Sequence, residues 1–266
     1  MKIFKMITLS TTLIALAVTG CGSRPHQNSK TKIVGGHAVR EDSPVSSSTI
    51  ALVYATDHEY FCSGTLIGPR TILTAAHCVE DVITDHTAIG VTFGLKANEA
   101  PFIAALSSTR HESYDTAMMD SEHPAGASND IAIVTLNADA PSTYRPATPF
   151  TIEDAVDVGE PLILAGYGLT AAGNEGVDGT LREVETEITV VSLPRKELEF
   201  GKHAGRSACM GDSGGPAFVK RNGKLKLVGV TSRGSSDCDE EGIYTDVRHF
   251  SSWISTNKDL ALSARH

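Results

Sequence analysis

Beyond Ile33 the apolar residues arrive in short runs, each broken within a few positions by Gly, Pro, Asn, Asp or Ser. That texture predicts many short strands joined by turns, the signature of an all-β sandwich or a pair of barrels. Strand-like runs fall at Tyr60–Ile67, Thr71–Ala75, Ile131–Leu136, Pro161–Gly166, Ala217–Lys220, Lys224–Thr231 and Gly242–Val247. Glu183–Val190 alternates, with Val184, Thr186, Ile188 and Val190 on one face and mostly acidic residues on the other. This is the period of a half-buried antiparallel strand. Helical spacing occurs at the end of the chain, where Phe250, Trp253, Ile254, Asn257 and Leu260 recur at steps of three and four. Such a helix would lay one apolar stripe on the β body. The polar stretch from Glu112 to Asn129 reads as a surface loop, and Pro141–Pro149 as a connection between two halves.

The first 32 residues belong to a different regime. Lys2 and Lys5 precede an apolar run from Met6 to Val18, and Gly20-Cys21 follows. A basic start and an apolar run too short to span a bilayer have the order of a secretory signal peptide, here residues 1–21. Val18-Thr19-Gly20-Cys21 also has the form of a bacterial lipobox, in which the cysteine is lipid-modified; a small residue before an ordinary cleavage point gives a similar pattern. Residues 22–32 are polar and read as a pro-segment. Export implies an oxidising compartment, so disulfides are expected. The first 32 residues hold five basic residues and no acid, so without them the formal net charge moves from -9 to -14. A body this acidic argues against a nucleic-acid partner or an anionic membrane surface. Of five cysteines, assigning Cys21 to lipid leaves four, Cys62, Cys78, Cys209 and Cys238. Four cysteines allow three pairings, and spacing alone does not choose among them.

Gly211-Asp212-Ser213-Gly214-Gly215-Pro216 carries the most chemistry. A chance match at six fixed positions is on the order of one in ten million per window, which removes coincidence as an explanation. A serine hydroxyl needs a base to take its proton, and glycines let the backbone turn its N–H groups toward a carbonyl. The segment also fits G-x-S-x-G, the nucleophile elbow of α/β-hydrolases, but that motif needs a following helix and a later His. Here Pro216 and a strand-like run follow, and downstream His249 and His266 lie in or beyond the terminal helix. Thr74-Ala75-Ala76-His77-Cys78 offers a base after an apolar run. Asn129-Asp130-Ile131-Ala132-Ile133 offers an acid before a strand. Alone, His77 reads as an ordinary surface histidine and Asp130 as a turn residue; together with Ser213 they form an acyl-transfer set.

In the order His, Asp, Ser, these segments resemble the trypsin/chymotrypsin family over Ile33–Trp253. Phe61-Cys62-Ser63-Gly64-Thr65-Leu66-Ile67, Gly166-Tyr167-Gly168 (Tyr where the family has Trp) and Ser252-Trp253-Ile254 extend the likeness. The resemblance implies an all-β fold of two antiparallel six-stranded β-barrels with a C-terminal α-helix, about 33–145 and 146–266, and a site in the cleft. It implies a secreted serine endopeptidase with His77, Asp130 and Ser213 as catalytic triad and the N–H groups of Gly211 and Ser213 as oxyanion hole. It pairs Cys62 with Cys78 and Cys209 with Cys238. Protein or peptide substrates, a monomer, and no cofactor or metal are expected; Glu112, Asp115 and Asp120 fit no calcium motif. A catalytically silent homologue acting as a binding protein is the alternative, although such proteins usually lose a triad residue.

Lys32-Ile33-Val34-Gly35-Gly36 is similar to the family's activation site. Cleavage after Lys32, by a separate trypsin-like protease, would free the Ile33 ammonium to pair with Asp212. If Cys21 carries lipid, the anchor would hold only the precursor in the cell envelope and processing would release the enzyme. By the family's spacing Ser207 lies at the base of the substrate pocket, with Ser232, Arg233, Gly234 and Gly242 along it. A neutral Ser207 implies a preference for large apolar or aromatic residues before the cut. Arg233, where the family usually has Trp, is expected to favour acidic residues upstream.

Overall fold

The structure, a computed structural model, describes residues 36–82, 85–99, 101–119, 126–168, 179–200, 211–234 and 242–263. Fourteen strands are present among them: β1 His37–Ala38, β2 Thr49–Tyr54, β3 Tyr60–Gly68, β4 Thr71–Thr74, β5 Ile89–Thr92, β6 Phe102–Arg110 and β7 Ala132–Leu136. The second set is β8 Thr148–Pro149, β9 Pro161–Gly166, β10 Arg182–Ser192, β11 Glu197–Phe200, β12 Pro216–Arg221, β13 Lys224–Arg233 and β14 Gly242–Asp246. A single α-helix, α1, covers Ser251–Ser263. Within these residues no helix is long and apolar enough to cross a membrane.

The first barrel closes in the order β2-β3-β4-β7-β6-β5, with β5 returning to β2 through Leu52↔Val91. The second runs β10-β11-β14-β13-β12-β9 and closes by β9 pairing with β10 through Val184↔Leu164. All of these pairings are antiparallel. This is the architecture the resemblance implied. Closure removes exposed strand edges, which would otherwise template aggregation. The apolar runs read from the sequence are the core of these barrels. Ile50, Leu52, Leu66, Ile72, Val91 and Val134 are buried in the first, and Leu164, Val184, Ile188, Phe218, Val230 and Tyr244 in the second. β7 is buried along its whole length, so it shows a continuous apolar run rather than alternation.

β10 keeps its alternation only as far as Ile188. Val184 and Ile188 are buried, but Val190 is only half-buried, because a bulge sets Ile188 opposite Phe200 and Val190 opposite Glu199. The extra residue, Thr189, turns the later side chains off the predicted face. The terminal helix begins later than its stripe. Phe250 lies in a 3-10 turn, Val247–Phe250, in which the Arg248 N–H donates to the Asp246 carboxylate, before α1 carries Trp253 and the buried Ile254. Within 112–119 and 126–129 the chain forms turns and one short 3-10 helix, Thr116–Met118, and no strand. Ala147 N donates to Leu66 O while Thr148 pairs with Lys226 of β13, so the chain passes from one barrel to the other between these two residues.

Candidate active site

The base side begins at β4. Its ladder with β7 places Thr74 opposite Ala132, two residues beyond Asp130. After Thr74 come the buried Ala75 and Ala76 and a 3-10 turn, His77–Val79. The Cys62–Cys78 disulfide ties that turn to β3. Closing a loop of sequence separation 16 is worth about 3 kcal/mol. Replacing both cysteines by serine is therefore expected to lower unfolding free energy by that amount. Urea denaturation in a Ser213→Ala background, which stops self-digestion, checks it; an unchanged midpoint would show that the ladder alone holds the turn.

His77 and Asp130 meet twice. The backbone N–H of His77 donates to Asp130 Oδ1 at 3.0 Å, and Nδ1 lies 2.8 Å from Oδ2. Ser232 Oγ donates to the same Oδ2 at 2.7 Å, and Thr245 Oγ1 donates to the Asp130 carbonyl at 2.8 Å. Asp130 has no solvent exposure, so its carboxylate depends on these donors in place of water. An Nδ1–H held by Asp130 leaves Nε2 as the bare, basic nitrogen. A ring 26% exposed on its side chain keeps a face toward solvent.

The serine segment is built against β3, β13 and the end of β4. Ser63 N donates to Ser213 O at 2.8 Å and Ser63 Oγ to Gly211 O at 3.0 Å, which fastens it to β3. Gly214 N donates to Thr231 O and Gly215 N to Asp212 O, which fastens it to β13 and to itself. Gly214, at φ +76°, lies so close to the strand end before His77 that a Cβ there would meet Thr74 Oγ1 at 2.0 Å and Ser63 O at 2.5 Å. Asp212 is buried, and Gly168 N donates to its Oδ1 at 3.0 Å. A Cβ on Gly166 would stand 2.2 Å from that same oxygen, which explains the glycines of Gly166-Tyr167-Gly168. Tyr167 between them is fully buried and donates its hydroxyl to Gly94 O at 2.6 Å.

Residues 33–254 match the family model for trypsin. The chain belongs to the trypsin family. It is 31% identical over 219 residues to brachyurin of Leptuca pugilator, spanning 77% of this chain and 90% of that one. It is 27% identical over 252 residues to anionic trypsin of Canis lupus familiaris (91% and 96%) and 26% over 284 residues to a trypsin of Phaedon cochleariae (96% and 100%). As a trypsin-family protein it is a serine-type endopeptidase.

In this trypsin-family site two opposing effects act on the His77 imidazole. Burial pulls its pKa down; the hydrogen bond and charge of Asp130, joined by Glu80, outweigh burial and hold it above the ordinary 6.5. Cys62, His77 and Cys78 offer three ligand-type atoms within 4.8 Å, but both sulfurs are committed to the disulfide. Glu112 accepts from Trp253 Nε1 and Asp115 caps the turn at Ala117, so these two carboxylates serve local structure.

Ser232, expected along the pocket, directs its hydroxyl to Asp130. The expectation for Arg233 is revised. Its guanidinium bridges both carboxylate oxygens of Glu197, at 2.8 and 3.1 Å, so its charge is satisfied inside the protein rather than offered to an acidic substrate. Gly234 follows β13 and Gly242 opens β14. Cys21, Lys32, Ile33, Ser207, Cys209, Cys238 and Asp120 lie outside the described residues. Sequence reading missed the roles of Ser63, Thr245 and Glu197. Ser63 was legible only as part of the strand before His77, and nothing in the sequence signals the other two.

Proposed function

We propose that this endopeptidase cleaves peptide bonds through an acyl-enzyme on Ser213. The observation that supports the reading is the pairing of His77 with the buried Asp130, together with the close approach of Gly214 to the strand end before His77. Gly214, next to Ser213, packs against Thr74 and Ala75, at the strand end just before His77. In the first step Ser213 Oγ bonds to the scissile carbonyl carbon while its proton passes to His77 Nε2. Asp130 stabilises the imidazolium that results. The carbonyl oxygen, now an oxyanion, takes hydrogen bonds from the N–H groups of Gly211 and Ser213, each worth roughly 3 kcal/mol. Collapse breaks the C–N bond, and the leaving amine takes the proton from Nε2. Water then attacks the ester with the same base, releasing the acid and restoring Ser213.

The precursor is exported by residues 1–21, with Cys21 as lipid anchor, and is processed after Lys32 by another protease of trypsin-like specificity. The new Ile33 ammonium pairs with Asp212, a buried residue beside the nucleophile, as in the activation site that Lys32–Gly36 resembles. Ser207 gives a neutral pocket base, with Gly234 and Gly242 as open walls, and so a preference for Phe, Tyr or Leu before the cut. A neutral pocket suits Lys32 poorly, which is why self-activation is not part of the scheme.

The test uses the 33–266 form, produced by cleavage after Lys32, on peptides that vary only at the residue before the scissile bond. Cleavage after Phe, Tyr or Leu that disappears in Ser213→Ala is expected. Cleavage after Lys or Arg would keep the mechanism, overturn the pocket and make self-activation the simpler scheme. Inactivity across the panel would favour a specificity narrower than the panel or the binding-protein alternative.

A further inference from the structure

Three consecutive residues, Ser128, Asn129 and Asp130, are each held by the second barrel. Ser128 Oγ donates to Glu197 Oε1 at 3.3 Å, and Lys196 Nζ donates to Asn129 Oδ1 at 3.1 Å. Asp130 receives Ser232 and Thr245 as described above. On its own side the segment is tied by Asp115 N to Ser128 O and by Asn129 Nδ2 to the carbonyls of Ser113 and Ala127, all loop residues. Asp130 is therefore held from both barrels: by the His77 N–H and the start of β7 on the first, and by β13 and β14 on the second, where β11 and the turn before it hold Ser128 and Asn129.

Glu197 is the centre of this grip. It pairs directly with Thr245 across the β11–β14 ladder, so one cross-strand pair reaches the segment at two points. Its carboxylate, 1% exposed, accepts both guanidinium nitrogens of Arg233 and lies 3.7 Å from Arg195 Nε. Arg195 is itself bonded to Ser192 Oγ and Glu199. A buried ion pair of this kind is a poor device for stability alone, because apolar side chains of the same volume usually do as well. Leu198 and Phe200 on the same strand are buried in just that way. What apolar residues could not do is accept the Ser128 hydroxyl two positions before Asp130.

We propose that Glu197 is a positioning residue for the reaction: clamped by Arg233 and Arg195, it fixes Ser128 and thereby the backbone that aims the Asp130 carboxylate at His77. The inference rests on the reading of Asp130 as the triad acid. Arg233 then acts indirectly, by holding Glu197 in place, and its neighbour Ser232 completes the grip. Ser232 is the extra residue of a bulge, with Thr231 opposite Tyr244 and Arg233 opposite Ile243, and such bulges re-aim side chains beside functional sites.

The test compares processed wild type with Ser128→Ala, with the double variant Glu197→Met/Arg233→Met, and with the triple combination. Thermal midpoint, kcat and KM are measured for each. Ser128→Ala leaves the ion pair intact and is expected to lower kcat about tenfold with KM changed by less than about twofold. The apolar pair is expected to keep its thermal midpoint within a few degrees while losing roughly 10- to 100-fold in kcat. The triple variant should lose no more than the double, since both act through one contact. Wild-type kcat in the folded double variant, or losses that simply multiply in the triple, would overturn the proposal. Should the double variant fail to fold, wild-type kcat in Ser128→Ala overturns it alone. Stoichiometric labelling by a fluorophosphonate, lost in Ser213→Ala, monitors the triad separately. Wild type inert to that reagent removes the triad reading and this inference together, whereas labelled wild type beside unaffected variants removes only the inference.

Discussion

Asp130→Asn is expected to lower kcat by about 10,000-fold, the magnitude established for the serine–histidine–aspartate triad in general, while leaving the fold intact. The local geometry supplies the reason. The backbone N–H of His77 can only donate, and it donates to Oδ1, so the oxygen of an asparagine must stay on that side. The amide nitrogen is then forced to the Oδ2 side, where His77 Nδ1 stands at 2.8 Å. An N–H group there makes Nδ1 the acceptor and moves the ring proton to Nε2, the nitrogen that must be bare to take the serine proton. Ser232 can turn its hydroxyl to accept, so little stability is lost. The pH profile gives a second reading. Burial lowers the His77 pKa and Asp130 more than restores it, so the acid limb of kcat/KM in the parent enzyme lies above pH 6.5. Activity rises as the imidazole loses its proton through that limb. Without the carboxylate the burial effect prevails, and the limb of the residual activity moves to lower pH. An acid limb unchanged by the substitution would show that Asp130 is not the group that raises His77.

Gly214→Ala is expected to be the most damaging single-methyl change in the site. Gly214 and Gly223 share nearly the same positive φ, +76° and +77°, so both alanines meet the strain of a backbone that L side chains rarely adopt. They differ in space. A Cβ at 223 has nothing within 4 Å, whereas at 214 it falls between the two ends of the Thr74 Oγ1 to Ser63 O hydrogen bond. Ser63 O is backbone of β3, and Thr74 is held by that bond, so neither can move cheaply. Gly223→Ala is expected to cost about 1 kcal/mol and leave kcat/KM unchanged. Gly214→Ala combines strain with overpacking and is expected to cost about 3–5 kcal/mol, a large share of a domain's stability. In whatever fraction folds, the serine segment is pushed from the His77 turn and kcat/KM falls by about 100-fold or more. Equal losses at both positions would mean that backbone strain, not the close approach, explains this glycine.

Much of this protein was legible before folding was considered. Gly211–Pro216 is contiguous, His77 is marked by the run before it and by Cys78, and most barrel strands announce themselves as apolar runs between turn residues. Four barrel strands escaped, β2, β5, β6 and β11, and two of them are instructive. β11 reads Glu-Leu-Glu-Phe, and its charges conceal it until Glu197 is seen to be buried between arginines. β6 alternates poorly because Ser107, Ser108 and Thr109 interrupt its apolar pattern and most of its side chains remain partly exposed. Arg233 shows the same limit most clearly, since in sequence a lone arginine near a pocket reads as a charge looking for substrate. Its partner is 36 positions away, and the partners of Asp130 in Ser232 and Thr245 are 102 and 115 positions away. Sequence alone determined what is local: strand periodicity, turn chemistry, the glycine-rich serine segment and the order of the three proposed catalytic residues. The tertiary structure decided which buried charge meets which donor. That outcome depends on strand register and on a bulge at Ser232, because a side chain's solvation changes only when distant strands pair around it.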